Sequence, residues 1–312
     1  MKREESDAEG NGSMVEEFIL LGFSDLPELQ GLLSVVLVTM YITILVGNSL
    51  LIIITMFDPV LQKPMYFFLA NLSSLEICYV SVTLPKILAN IWTQDRRISL
   101  LGCATQMYFF LILAGNESLL LAVMSYDRYV AICHPLRYPM LMNTTKCVWL
   151  AAGALLSGLP VPTGLTCTIF SLNFCKSNHI NHYFCDVRPV LTLACGDTSV
   201  PELSIYAAFM VFADVPFMLI LASYSKILSS ILRFPTAQGR GKAFSTCSSH
   251  LMAVLLFYGS ASITYLRPKS SHSAELDKWL SLFYIVVTPM LNPMIYSLRN
   301  REVIEALRKL LP

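Results

Sequence analysis

The sequence predicts an all-α membrane protein, a seven-transmembrane helix bundle with a short amphipathic C-terminal helix. Three observations carry that expectation. Of 312 residues, 55% are hydrophobic and only 14% are charged, against about 25% charged in an ordinary soluble domain. The apolar residues fall in long blocks rather than at amphipathic spacing. Seven such blocks approach the ~20 residues a helix needs to cross the hydrocarbon core. The net charge of +1 argues against a nucleic-acid partner and against general attraction to anionic surfaces.

Taken in order, the blocks run from Leu32 to Phe57, Pro64 to Leu88, Leu101 to Tyr126, Cys147 to Ile169, Leu203 to Leu228, Ala243 to Leu266 and Trp279 to Leu298. The first is free of charge, while Glu76, Glu117 and Asp214 interrupt the second, third and fifth. Trp92, Trp149 and Trp279 sit near block ends, where amphipathic rings favour the membrane interface. Residues 1–28 form an N-terminal tail, expected to be extracellular, whose first segment, MKREESDAEGNG, is polar and acidic and lacks the apolar stretch of a cleavable signal, so the first span would direct insertion. Residues 299–312 form a second tail. There Val303, Ile304, Leu307 and Leu310 share one face with Leu298, and Arg301, Arg308 and Lys309 lie elsewhere, which suits a helix resting on the membrane.

Seven crossings put the two ends in different compartments. With the N-terminus outside, 12 Lys/Arg fall on the cytoplasmic side and 10 outside, a difference too small to decide orientation by the positive-inside rule. Asn11-Gly12-Ser13 is a glycosylation acceptor that must face the lumen to be used. Cys175, Cys185 and Cys195 lie between the fourth and fifth blocks, and Cys103 opens the third. Four cysteines on one side imply an oxidising compartment and up to two bridges. The same loop holds His179, His182 and Cys185 at three-residue spacing, which also reads as a metal site. Disulfides explain the thiols better, and we expect no metal there.

Several segments together carry a resemblance. They are Gly47-Asn48 in span one, PMYFFLANLSSLE from Pro64 to Glu76, MSYDRYVAIC from Met124 to Cys133, Ser223-Tyr224 in span five, KAFSTCSSHL from Lys242 to Leu251, and PMLNPMIYSLRN from Pro289 to Asn300. They fall in order along nearly the whole chain, which resembles the odorant (olfactory) receptors, a branch of the rhodopsin-like (class A) G-protein-coupled receptors. Two departures stand out: Glu76 where the family usually has Asp, and Leu155 where it often has Trp.

The resemblance implies bridges Cys103–Cys185 and Cys175–Cys195. It implies an activation switch built from Asp127, Arg128 and Tyr129, with Tyr224, Asn292, Pro293 and Tyr296, in which Arg128 is held at rest and freed when the helices separate, and Tyr224 and Tyr296 then swing in to stabilise the open form. It also brings Asn48, Glu76, Glu117 and Asn292 together in mid-membrane. Two nearby carboxylates in low dielectric must share a proton or hold a sodium ion, though a polar cluster without an ion is the simpler alternative. No other cofactor is implied.

The ligand pocket would be lined by Phe110, Leu111, Ala114 and Gly115 of span three, Ala208, Val211 and Phe212 of span five, Phe257, Tyr258, Ala261, Ser262 and Tyr265 of span six, and Ile285 of span seven. That lining is apolar, so burial of hydrocarbon, at about 25 cal/mol per Å2, should dominate binding. Phe110 stands where amine receptors place an acid, which disfavours an amine. The implied partners are a small hydrophobic odorant, membrane lipid and the olfactory stimulatory heterotrimeric G protein, with a rise in cyclic AMP. The expected location is the plasma membrane, N-terminus outside and C-terminus inside. A receptor for a non-odorant ligand outside the nose is the nearest alternative. A cation-coupled transporter would also use intramembrane acids, but it usually shows repeated halves, and none is apparent. Nor is there an H-E-x-x-H pair, a P-loop or a nucleophile elbow to suggest an enzyme.

Overall fold

A computed structural model describes residues 15–23, 27–175, 177–233, 236–265, 274–298 and 300–310. Among them six helices are long and apolar enough to cross a membrane: Gln30–Phe57, Pro64–Thr93, Leu100–Cys133, Thr144–Phe170, Ser199–Leu232 and Glu275–Ser297. A further helix, Ala237–Tyr265, bends by 41° between Ala237–Ser245 and Cys247–Ile263 and completes a set of seven. In chain order these are spans one to seven. Several outrun their hydropathy blocks, span three most clearly, continuing past Tyr126 to Cys133. Hydropathy marks where lipid begins, whereas a helix stops only where its backbone pairing stops.

Prolines shape three spans. In span five a π-turn, Met210–Asp214, stands just before Pro216. In span seven another, Phe283–Val287, stands before Pro289. Each proline lacks the N–H that the carbonyl four residues earlier would accept, and widening the turn by one residue re-pairs the ladder. Span four is interrupted between Ser157 and Pro160. Gly158 lies in that gap, and a Cβ there would overlap the Asn116 carboxamide of span three. The missing side chain lets the two helices approach.

Of the six unbroken spans, two and three are the most enclosed, with 56% and 61% of their apolar stretches buried, while span five has only 11% and turns most of its surface outward. One core cluster runs through the half of the bundle that holds Arg128, and a second through the opposite half. A third sits at that opposite end under a short sheet. The sequence gives no sign of this sheet. In it β1 (Glu17–Leu20) pairs antiparallel with β2 (Arg97–Ser99) and parallel with β3 (His179–Ile180). Strands this short carry too little alternation to be read. Their bonds draw the N-terminal segment over the loop that follows span four, with Phe18 and Leu20 fully buried and Phe18 edge-on to Phe174 at 5.2 Å.

The C-terminal helix is Arg301–Leu310. Its inward face is Val303 and Ala306, both buried in the same cluster as Leu61, Tyr66 and Tyr296, with Leu307 packed alongside. Leu310 is exposed, and the Leu298 side chain lies outside the described residues.

Candidate functional site

At the sheet end, Cys103 and Cys185 are joined with S–S 2.04 Å, and Cys175 is joined to Cys195. Cys185 is therefore not available as a metal ligand beside His179 and His182. Among the described residues no three His, Cys, Asp or Glu gather as a metal site. The loop dips into the bundle. The Cys185 N–H donates to Gln106 Oε1 at 3.0 Å, and Gln106 Nε2 donates to the Val82 carbonyl at 3.0 Å. The Ser281 hydroxyl donates to the Lys278 carbonyl, and its oxygen accepts from Tyr183 at 2.8 Å and from His182 Nε2 at 3.1 Å. Burial first, then the Lys278 charge, pushes His182 down to about 3, so the ring is neutral. Burial pushes the Asp186 carboxyl up to about 6. The Val187 N–H and the Arg188 charge pull it back, and Asp277 adds to the rise.

Beneath this lid the expected ligand-pocket residues divide into groups. Phe110 is buried in an aromatic cluster, with ring centroids 5.2 Å from Tyr79, 4.9 Å from Phe184 and 6.3 Å from Tyr284. Ile285 is in the same cluster, and Leu111 and Ala114 pack against it. Gly115 faces Phe212, since a Cβ would stand 3.2 Å from Phe212 Cδ1. Ala208 packs against the cluster under the sheet. Phe257 and Tyr258 belong with the Arg128-side core, and the Tyr258 hydroxyl pairs with Ser118 Oγ at 2.7 Å. Ala261 is half-buried, while Val211 and Ser262 are exposed and are not enclosed with the others. The Tyr265 side chain lies outside the described residues, as does Asn11. Asp214 closes the π-turn of span five, exposed, and acts electrostatically on Tyr258.

In mid-membrane, Glu76, Glu117, Asn48 and Asn292 are all buried. Asn292 Nδ2 donates a short hydrogen bond to Glu76 Oε1. Asn48 Nδ2 donates to the carbonyls of Ile44 at 3.1 Å and Pro289 at 3.4 Å, and Glu117 is near enough to act on the charge of Glu76. Among the described residues, four buried oxygens here have no hydrogen-bond donor: Glu76 Oε2, Glu117 Oε1, Asn48 Oδ1 and Asn292 Oδ1. A buried acceptor without a partner costs on the order of 1–3 kcal/mol. A cluster rich in such acceptors fits a cation, a shared proton or water.

At the far end from the disulfides, Asp127 and Arg128 are buried and form an ion pair, Nη2 to Oδ2, at 3.1 Å. The Tyr138 hydroxyl donates to the other Asp127 oxygen at 2.8 Å. Arg128 opens onto a cavity of about 760 Å3, also lined by Tyr66, Tyr138, Ser249, Tyr296 and Glu302. Tyr129 turns instead toward His134, 3.0 Å from its Nε2. Pro293 packs on Gly47, whose hydrogen stands where a Cβ would lie 3.3 Å from the ring. Tyr296 is buried and its hydroxyl finds no partner among the described residues.

Tyr224 is held by a residue the sequence reading passed over. Its hydroxyl is 2.7 Å from His250 Nδ1, the rings stacked at 8°, and His250 Nε2 lies 3.1 Å from the Leu121 carbonyl. A carbonyl only accepts, so Nε2 carries the proton, Nδ1 accepts, and Tyr224 donates. That pattern fixes one neutral tautomer and joins spans three, five and six. The sequence carries a signal for it: His250 is the one histidine in the KAFSTCSSHL string, at a depth where polar groups need partners. Tyr138 and Phe184 had no such signal, because each depends on how a loop folds back.

A seven-helix membrane bundle with a disulfide-tied lid at one end and a buried Asp–Arg pair over an open cavity at the other is the architecture of a G-protein-coupled receptor. The family model described as olfactory receptor matches residues 37–312. The chain is 53% identical over 295 residues to human olfactory receptor 10AG1, covering 95% of this chain and 98% of that one. It is 54% identical to human olfactory receptor 10C1 over 299 residues and to human olfactory receptor 10A4 over 302, each match covering 96% of both chains. The chain belongs to the olfactory receptor family. It is accordingly a multi-pass membrane receptor and not an enzyme.

Proposed function

We propose that this receptor binds a small, mostly apolar odorant in the disulfide half of the bundle and activates the olfactory stimulatory G protein, raising cyclic AMP. In this reading the disulfide end is extracellular, with Asn11 open to glycosylation, and the Arg128 end is cytoplasmic. The observation that carries it is the Asp127–Arg128 pair, buried yet opening onto the 760 Å3 cavity. A buried ion pair beside a space large enough for a protein segment is costly to keep unless its rearrangement is used.

The ligand would sit against Gly115 and Phe212, above Tyr258. Tyr258 is bonded to Ser118, the neighbour of Glu117, so a ligand that shifts the Tyr258 ring pulls on the mid-membrane cluster. Asn292 of that cluster adjoins Pro293, and the same helix carries Tyr296. A displacement of span seven therefore moves the unpartnered Tyr296 hydroxyl relative to Arg128. Two-state packing follows: the ligand favours whichever arrangement gives it more contact, by no more than its difference in affinity for the two. Asn48, Glu76, Glu117 and Asn292 would hold a sodium ion, which supplies positive charge to the orphaned oxygens. Protonation of one carboxyl would serve them alternatively.

The test is a panel of volatile odorants screened with a cyclic AMP reporter in cells expressing the full chain. Arg128→Ala should abolish any response at unchanged surface level. A full response from Arg128→Ala would refute the switch assignment.

A further inference from the structure

The wall of the Arg128 cavity contains a second polar network, which the activation route above leaves unused. Glu302, in the first turn of the C-terminal helix, accepts from Lys63 Nζ with both oxygens, at 2.6 and 2.8 Å, and from the Tyr66 hydroxyl at 2.7 Å. The Tyr66 oxygen in turn accepts from Asn300 Nδ2 at 2.7 Å, and Asn300 Oδ1 accepts from the Glu302 N–H at 3.1 Å. The circuit closes on itself. Lys63 immediately precedes span two, and Tyr66, buried, lies in its first turn. Four residues thus tie the start of span two to the corner where span seven gives way to the C-terminal helix.

A second tie acts at the other end of that helix. Lys309 Nζ lies 3.1 Å from Asp58 Oδ2, while Asp58 Oδ1 accepts from the Val60 N–H at 2.9 Å. Both carboxyls are held below their usual range. For Asp58 the cause is first the Val60 N–H and then Lys309. For Glu302, burial pushes upward but the bonds from Lys63 and Tyr66 outweigh it. Between the two ties, Val303 and Ala306 are packed into the core. The helix is fixed at its first turn, its middle and its last turn.

Lys63, Tyr66, Asn300 and Glu302 line the cavity together with Arg128 and Tyr296. One part of the wall is therefore clamped, while another is lined by Gln238, Ser245 and Ser249 of span six, whose bend lies between Ser245 and Cys247. We infer that Lys63, Tyr66, Asn300 and Glu302 are positioning residues for coupling: they hold the C-terminal helix rigid against span two, so that a G protein entering the cavity meets one fixed wall and one movable wall. This rests on the reading of the cavity as the G-protein site.

The test uses full-length receptor in lipid nanodiscs and the purified, nucleotide-free olfactory stimulatory heterotrimer as probe, with Kd as readout. Lys63→Glu and Glu302→Lys each break the ion pair and set like charges together. Each should weaken binding by about fivefold, the upper end for a partly exposed pair. The double exchange restores opposite charges and should return Kd to within about twofold of the original. Tyr66→Phe keeps the ring but opens the circuit, and should weaken binding by about twofold. Single variants that bind like the parent while Arg128→Ala does not bind would overturn the clamp and leave the cavity reading intact. Binding unaffected by Arg128→Ala would remove the cavity reading and the clamp with it. Where a single variant fails to fold, the double exchange decides: recovery of folding without recovery of Kd also overturns the proposal.

Discussion

His250 offers the sharpest test of how the proposed switch is held. Its Nδ1 accepts a hydrogen bond from the Tyr224 hydroxyl at 2.7 Å, and its Nε2 donates to the Leu121 carbonyl at 3.1 Å. Tyr224 is thereby committed to span six rather than to Arg128. His250→Phe keeps a planar ring against the stacked Tyr224 while removing both bonds. The freed Tyr224 hydroxyl then gains by turning to Arg128, the arrangement expected on activation. A neutral hydrogen bond contributes about 0.5–1.5 kcal/mol net, and losing that from the resting arrangement shifts the two-state ratio by about 2- to 13-fold. We expect ligand-independent cyclic AMP, normalised to receptor at the cell surface, to rise by a factor in that range. Tyr224→Phe releases the same histidine but also deletes the hydroxyl needed in the active arrangement, so it should not raise basal signalling. The pair His250→Phe/Tyr224→Phe should fall back to the level of Tyr224→Phe alone. If His250→Phe lowers basal activity, or if the double variant stays high, the histidine does not restrain Tyr224 and the reasoning fails.

The remaining predictions concern the lid and the helix contacts. Asp186 has its folded-state pKa raised to about 6 from 3.8. The charged form is thus disfavoured in the folded loop, and stability should rise as pH falls through about 6 and level off near 4. The full span is roughly 3 kcal/mol, of which roughly 1.4 kcal/mol falls between pH 7.5 and 5, measured as the melting temperature of purified receptor over that window, and Asp186→Asn should flatten that slope. Gly158→Ala forces a Cβ into the Asn116 carboxamide and should cost about 1–3 kcal/mol, read as reduced surface expression; Asn116→Ala in the same chain should recover it, and no recovery would assign the defect elsewhere. Cys103→Ser removes a bridge between positions 82 apart, a loss of about 4.5 kcal/mol by loop entropy, and should keep the receptor from the cell surface.

How much of this was legible in the sequence follows from what each residue answers to. The spans answer to lipid, and lipid is uniform, so a run of apolar residues reports them with little regard for neighbours. Glu76, Glu117, Asn48 and Asn292 were legible for the complementary reason: a polar group at that depth must find others, and few were on offer. His250 obeys the same rule, since nothing else basic lies in the hydropathy block of span six, but the sequence does not say which neighbours answer it. Tyr138, Phe184 and the three strands answer to loop paths. Those depend on disulfide connectivity, which cysteine spacing does not fix. Glu302 is the instructive middle case. On the sequence it is one acid in a charged, amphipathic tail, and the bland reading of such a residue is a solvated face. Only the fold brings Lys63 and Tyr66, more than two hundred residues away in the chain, to its two oxygens. The proposed ligand pocket is the least legible part on the same principle. An apolar side chain in a span has lipid, a neighbouring helix or a ligand as equally good company. Val211 and Ser262 are exposed while Phe110 is packed among Tyr79, Phe184 and Tyr284. Placing Phe110 among those rings rather than at an open pocket makes it a wall residue, so its substitution should change the shape of the site before it changes its polarity.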